Sequence, residues 1–272
     1  MNNTLLNKNL IIGQGRQAEI YEYEENEVVK LFHKDTNQDD ISFEYKMSKF
    51  VHTSGLEVPY VSRMIEVGDR KGIVFERLEG KTILETVSKQ PLKFVTMAKQ
   101  MANLHYSIHQ VSSLELPSQK ERMEHTILNA DLLSPPQKEK VIKYLYQLPD
   151  ENVICHGDFH PDNVMITSIG AKTIDWPNVS RGHHLSDVTR TLLMLKYGIL
   201  PEHSPTLIKL LDKVGKKQFY FLYLKTYLSL SGDSMNEIKK WEVPVAAARL
   251  ADGVPDEEKQ LIFDRILKEF LE

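Results

Sequence analysis

The stretch VICHGDFHPDNVMI, residues 153–166, carries most of the polar chemistry of this 272-residue chain. An apolar pair leads into a loop of histidine, aspartate and asparagine, and an apolar triplet follows. A polar loop between buried strands is costly unless it serves a site. Beyond the triplet, Asp175 stands between Thr-Ile and a tryptophan. We therefore expect Asp158, Asn163 and Asp175 to converge at one edge of the structure.

These residue types suit phosphoryl transfer, which needs a carboxylate at the acceptor hydroxyl, oxygen ligands for Mg²⁺ and a cation on the phosphates. The spacing D-x-x-x-x-N from Asp158 to Asn163, followed by Asp175, resembles the H-R-D-x-x-x-x-N and D-F-G loops of protein kinases. Here H-G-D and I-D-W stand in their place. The chain is therefore more similar to the aminoglycoside phosphotransferase and choline kinase family, within the protein-kinase-like superfamily.

The resemblance extends upstream and covers nearly the whole chain. Gly13 and Gly15 resemble the glycine-rich phosphate loop, although a pair of glycines is a weak signal by itself. Lys30, after two valines, matches the strand lysine that binds phosphate, and Glu44 lies on the next helix where the family places its partner. The resemblance thus implies that the N-terminal part binds the nucleotide.

The resemblance also assigns roles further along the chain. The backbone at Glu76 and Leu78 matches the hinge that holds adenine, and MANLH at 101–105 is similar to a family helix that ends in Leu-His. His156 matches a histidine that shapes the catalytic loop. Asp187 matches an aspartate that braces it.

The implied reaction is transfer of the γ-phosphate from ATP, with GTP as an alternative donor, to a hydroxyl of a small molecule such as an aminoglycoside, amino alcohol or sugar derivative. Asp158 would be the catalytic base, and Asn163 and Asp175 would hold Mg²⁺. Only twelve positions separate Asp175 from Asp187, which leaves no room for the activation segment on which protein kinases dock peptides. We therefore expect a small acceptor.

The fold class expected is α+β, a two-lobed protein-kinase-like fold with a small antiparallel sheet in the N-lobe and a mostly helical C-lobe. Residues 1–78 form the predicted nucleotide lobe, because strand-forming residues alternate around the early glycines. Residues 79–272 form the predicted helical lobe with the catalytic loop and acceptor site, since the apolar spacing becomes helical after Gly80. The predicted helices span 39–52, 91–109, 118–132, 137–148, 185–197, 206–230 and 255–271.

The bulk properties exclude other classes. A net charge of −4 without blocks of one sign does not favour a nucleic-acid binder. No stretch is apolar over the length of a bilayer, and the N-terminus lacks the layout of a signal peptide. The single cysteine, Cys155, excludes an intrachain disulfide, so we expect a cytoplasmic protein. The oligomeric state stays open.

Two alternatives compete with the kinase interpretation. A non-catalytic nucleotide-binding module would share the fold without turnover. A metallohydrolase would use the H-x-D-x-H arrangement of His156, Asp158 and His160, but it leaves Asn163 and Asp175 without a task. Cys155 is interpreted as a small buried residue rather than a nucleophile. The tryptophans, Trp176 and Trp241, are interpreted as packing residues, with a cationic acceptor as the alternative use of their faces.

Overall fold

The computed structural model describes residues 11–199 and 206–272, with the backbone alone for 206–214. The N-terminal stretch that the sequence predicts not to be a signal peptide lies outside the described residues. Among the helices of the described part, none combines the length and the apolar content that a bilayer crossing requires.

The chain divides into two compact units. The first comprises the described residues up to Thr82 together with Asn163–Pro177, and the second comprises Ile83–Asp162 and the described residues of Asn178–Glu272. Asp158 therefore belongs to the second unit and Asn163 to the first. The predicted division after residue 78 stays a prediction.

The elements follow each other in a strand-rich and then a helix-rich part. The strands are β1 Ile11–Gln14, β2 Ala18–Glu22, β3 Glu27–Phe32, β4 Val61–Val67, β5 Arg70–Glu76, β6 Gly80–Thr82, β7 Val153–Cys155, β8 Val164–Thr167, β9 Gly170–Thr173 and β10 Ser180–Gly182. The helices are α1 Gln38–Thr53, α2 Ile83–Lys89, α3 Phe94–Ile108, α4 Gln119–Leu128, α5 Pro135–Gln147, α6 His184–Tyr197, α7 Thr206–Ser231, α8 Met235–Arg249, α9 Asp256–Ile262 and α10 Lys268–Leu271.

The first unit contains an antiparallel sheet of order β1-β2-β3-β5-β4, which packs against α1. Side chains two apart on a strand share a face. Phe32 belongs to the buried cluster that includes Ile41 of α1 and Ile73 of β5, so Lys30 is placed on the same α1-covered face. A second sheet of order β6-β8-β9 carries the segment that leads to Asp175.

The second unit is mainly helical, with β7 and β10 as a short antiparallel ladder. α3 packs against α7 because its apolar face buries Met97, Met101, Leu104 and Ile108 at spacings of three and four. α6 packs against α8. These helices surround the loop that follows β7.

The predicted helices agree with the structure except at some ends. α4 ends at Leu128, before the predicted residue 132. A π-helical turn at Phe263–Leu267 interrupts the predicted C-terminal helix. The sequence assigned no bounds to α8, which contains Pro244, a residue that disfavours helix interiors.

Candidate active site

A buried ion pair network occupies the face of the first sheet that α1 covers. Lys30 Nζ lies 2.6 Å from Glu44 Oε1 and 2.7 Å from Asp175 Oδ1, and Glu44 is only 3% exposed. Burial lowers the pKa of Lys30, but the charges of Asp175 and Glu44 outweigh it and raise that pKa above its ordinary value. The structure therefore holds a charged lysine between two carboxylates, one buried and one partly open.

Asp175 is held in an unusual backbone conformation at the end of the second sheet. Its φ of 68° lies in the left-handed region that non-glycine residues seldom adopt. The preceding residue, Ile174, donates its N–H to the carbonyl of Asn163 at 3.0 Å. The Asp175 side chain is 39% exposed, and within the described residues no group donates to its second oxygen, Oδ2. A carboxylate oxygen is thus available beside the Lys30 ammonium.

The other predicted nucleotide residues lie on the same unit. Gly13 lies on β1, and Gly15 N–H donates to Ala18 O at 2.8 Å in the turn to β2. At the end of β5, Glu76 N–H donates to the carbonyl of Tyr60 at 2.8 Å. Leu78 N–H has no backbone acceptor in the described part of the chain. The structure thus leaves open the donor that the resemblance assigns to adenine.

The loop after β7 presents Asp158 in the second unit. The side chain is 28% exposed, and its Oδ2 lies 3.6 Å from His160 Nε2. Its backbone N–H donates to His156 Nδ1 at 3.2 Å. Burial raises the pKa of Asp158, but the hydrogen bond from His160 and the positive charge of Arg190 outweigh it, so the pKa is held well below the ordinary aspartate value. Asp158 is therefore a carboxylate at neutral pH.

A buried carboxylate braces the backbone of this loop. Asp187 Oδ2 accepts the N–H of His156 at 2.6 Å, and Oδ1 accepts the N–H of Gly157 at 2.9 Å. Thr191 donates its hydroxyl to the carbonyl of Phe159 at 2.8 Å. α6 thus supplies the side chains that hold the residues on either side of Asp158, as expected for the bracing aspartate.

Two histidines of α3 complete the surroundings of Asp187. His105 Nε2 and His109 Nε2 lie 3.1 and 3.3 Å from Asp187 Oδ2. Their Nδ1 atoms each lie 2.6 Å from a tyrosine hydroxyl of α7, Tyr223 for His105 and Tyr227 for His109. Tyrosine hydroxyls that donate to Nδ1 and Nε2–H groups that donate to the carboxylate make a consistent network of neutral imidazoles.

The titration behaviour agrees with this hydrogen-bond assignment. Burial lowers the pKa of His109 to about 4 and also lowers that of His105, so both rings are neutral at pH 7. Burial opposes ionisation of Asp187, but the two histidine hydrogen bonds hold its pKa well below the ordinary value. Sequence reasoning singled out His105 but missed His109. The signal available was the spacing of four residues between them on one helix.

The alternative uses of the loop residues find no support in the geometry. In the described chain, the groupings close enough to share a metal ion do not include the set of His156, Asp158 and His160. Cys155 is fully buried, and burial raises the pKa of its thiol well above the ordinary value, as expected for a packing residue. Trp176 and Trp241 are 2% and 1% exposed, so neither ring face is open to an acceptor.

Comparison with known proteins gives a family and a fold. The family described as "Phosphotransferase enzyme family" (APH) matches residues 11–203. No curated protein sequence matches the chain. An aminoglycoside-3'-phosphotransferase of type VIII is 19% identical with a TM-score of 0.62, and 92% of each chain is covered. The aminoglycoside phosphotransferase APH(4)-Ia is 12% identical with a TM-score of 0.66, covering 96% of this chain and 92% of that one.

A third similar structure is the amicoumacin kinase hAmiN in complex with AMP-PNP, Ca²⁺ and Ami. It is 14% identical with a TM-score of 0.56, covering 98% of this chain and 90% of that one. Identities this low support the fold alone, whereas the family match covers well over half of the chain. The chain therefore belongs to the phosphotransferase enzyme family, and its α+β fold is the protein-kinase-like fold of the aminoglycoside phosphotransferases.

Proposed function

We propose that this protein transfers the γ-phosphate of ATP to a hydroxyl group of a small molecule. The observation that carries the proposal is the buried Lys30, whose Nζ contacts both Glu44 and Asp175. A purely structural lysine has no need of two carboxylates, one of them 39% exposed. A phosphate-binding lysine does, because Glu44 orients the ammonium while the charge stays available to phosphate oxygens.

Asp175 and Asn163 are the residues that would hold Mg²⁺. The donor set fits this ion, since both side chains offer hard oxygen atoms, and Oδ2 of Asp175 accepts no hydrogen bond within the described residues. When bound, Mg²⁺ neutralises charge on the phosphates. The left-handed backbone at Asp175 is consistent with a functional position, because strained residues concentrate at such sites.

Asp158 would orient the acceptor hydroxyl and receive its proton. Its low pKa makes it a weak base, so its main task is to hold the hydroxyl in line with the phosphate, with proton transfer late in the reaction. The contacts of Asp187, Arg190 and Thr191 with the adjacent backbone support this task, since they keep the loop in one conformation.

The nucleotide base would be held by backbone groups near Glu76 and Leu78, with the phosphates beside Gly13 and Gly15. The open N–H of Leu78 supports an adenine contact, while GTP stays an alternative donor. The similar structures include complexes with ADP and hygromycin B and with streptomycin and ATP. We carry over from them only a small hydroxylated acceptor, such as an aminoglycoside, amino alcohol or sugar derivative, and we expect the reaction in the cytoplasm.

Thermal unfolding with and without Mg-ATP tests the nucleotide assignment. Millimolar Mg-ATP should raise the melting temperature by mass action, and Lys30→Met should abolish most of that shift. Lys46→Met, which changes an exposed lysine on the same helix as Glu44, is the matched control. An unchanged melting temperature in the wild-type protein would show that the nucleotide assignment is wrong.

Turnover is tested by nucleotide consumption with a panel of aminoglycosides, amino alcohols and sugar derivatives. A compound that stimulates saturable consumption, and gains one phosphate, establishes the transferase. Nucleotide binding without consumption for any acceptor would instead favour the non-catalytic module.

A further inference from the structure

The second unit contains a cavity on the side of the catalytic loop that faces α4, α6 and α8. Its volume is about 120 Å³. The lining residues are Gln119, Arg122, Met123, Thr126, Gly157, Asn178, Ser180, Ser186, Asp187, Arg190, Val245, Ala248 and Asp252. A cavity of roughly 150 Å³ holds one benzene ring, so this space suits a single chemical group rather than a whole acceptor.

Two arginines face this cavity from α4 and α6. Arg190 Nε donates to the carbonyl of Gly157, and its Nη2 lies 2.8 Å from Asp252 Oδ2. The same Asp252 oxygen also pairs with Arg249 at 3.2 Å, so one carboxylate is shared between two guanidinium groups. Arg122 Nη1 donates to the carbonyl of Val179 at 3.0 Å.

The electrostatics of the cavity favour an added negative charge. Burial and the like charge of Arg190 both lower the pKa of Arg122, which shows that the two guanidinium groups are close enough to repel each other. Asp187 lines the cavity but directs its oxygens to histidines and backbone N–H groups. An anion placed against Arg122 and Arg190 would relieve the repulsion and gain charge-assisted hydrogen bonds.

Neutral donors complement the arginines. Ser180 and Ser186 are buried, at 3% and 1% exposure, and both line the cavity. Within the described part of the chain, neither side-chain hydroxyl has a hydrogen-bond partner. A buried hydroxyl without a partner is unfavourable, and oxygen atoms of a bound oxyanion would satisfy both groups.

We propose that this cavity binds an oxyanion group, a carboxylate or phosphate, of the molecule whose hydroxyl is phosphorylated. The inference rests on the proposed function and narrows its acceptor to anionic hydroxyl compounds. Gly157 lines the cavity and directly precedes Asp158, so an anchored oxyanion lies only a few ångströms from the carboxylate that orients the hydroxyl. Arg190 joins the two places, since it contacts Gly157 and its charge acts on Asp158.

Binding of inorganic sulfate tests the cavity without any need for turnover. At constant ionic strength, replacing chloride by sulfate should raise the wild-type melting temperature by a few degrees, and Arg122→Gln should remove most of that shift. Ser186→Ala, which deletes one cavity hydroxyl with little change in volume, should weaken sulfate binding severalfold. Arg265→Gln removes an exposed charge from the same unit and should bind sulfate like the wild type.

Two results of this experiment would overturn the proposal. The first is no sulfate effect on the wild-type protein. The second is an equal sulfate effect in wild type and Arg122→Gln, because the ion would then bind elsewhere. A shift with Mg-ATP but none with sulfate would leave the proposed kinase function intact, so the two failures are distinguishable.

Paired acceptors test the specificity. A hydroxy acid is compared with its amide, and a sugar phosphate with its parent sugar, which separates a carboxylate from a phosphate. In an active pair, kcat/KM should favour the anion, and Arg122→Gln should lower kcat/KM for the anion about ten- to a hundredfold while changing that of the neutral analogue about threefold or less. Equal loss for both members, or wild-type preference for neutral or cationic acceptors, would refute the subsite.

Discussion

Replacing Asp187 by asparagine should destabilise the protein because an amide cannot serve both backbone donors of the catalytic loop. The N–H of His156 points at Oδ2 and the N–H of Gly157 at Oδ1. An asparagine has one acceptor oxygen and one NH₂ group. Whichever way the amide is turned, one of the two backbone N–H groups faces another donor.

The magnitude follows from the four donors around the carboxylate. A buried donor left without an acceptor costs about 1–3 kcal/mol. The remaining hydrogen bonds, including those from His105 and His109, each lose the charge assistance of a carboxylate, roughly 1 kcal/mol apiece. Relief of the cost of burying a charge offsets part of this sum. We therefore expect Asp187→Asn to lower the free energy of unfolding by about 3 kcal/mol.

Urea denaturation followed by circular dichroism measures this difference. Asp131→Asn is the control, because Asp131 is exposed and such surface changes usually fall within about 0.5 kcal/mol. A loss below about 1 kcal/mol in Asp187→Asn, with the control unchanged, would refute the reasoning that both oxygens are needed. It would mean that the loop rearranges at little cost.

Three further predictions concern the site. Asp158→Ala should lose about 10²- to 10⁴-fold in turnover while nucleotide binding persists, and a loss of tenfold or less in steady-state assays would count against its role. Asp175→Ala should weaken Mg-nucleotide binding itself, measured by calorimetry, and undiminished affinity would remove this residue from the metal site. His109 should make stability pH-dependent: with a folded pKa of about 4 and an unfolded pKa near 6.5, the unfolded state binds more protons between these values. The free energy of unfolding should then fall by up to about 3 kcal/mol as the pH falls from about 6.5 to 4, and His109→Gln should show a shallower slope in urea denaturation. Equal slopes would contradict a buried neutral ring.

The sequence by itself determined the family and the order of the chemical groups. Phosphoryl transfer requires a small set of residue types, and their linear order from Lys30 and Glu44 to Asp158, Asn163 and Asp175 is a specific signal. The contact between Lys30 and Glu44 was also predictable, because residues on one strand face and on the following helix are close in the chain and meet locally. The roles of these residues in binding and catalysis stay predictions.

Only the tertiary structure decided which distant groups share an environment. His109 and Tyr227 are separated by 118 positions and meet because α3 packs against α7. Periodicity along a helix shows which side chains are buried, but it does not identify the helix that covers them. Arg122 and Arg190 face one cavity for the same reason: their separate helices pack around the catalytic loop, and no local pattern in the sequence records that packing.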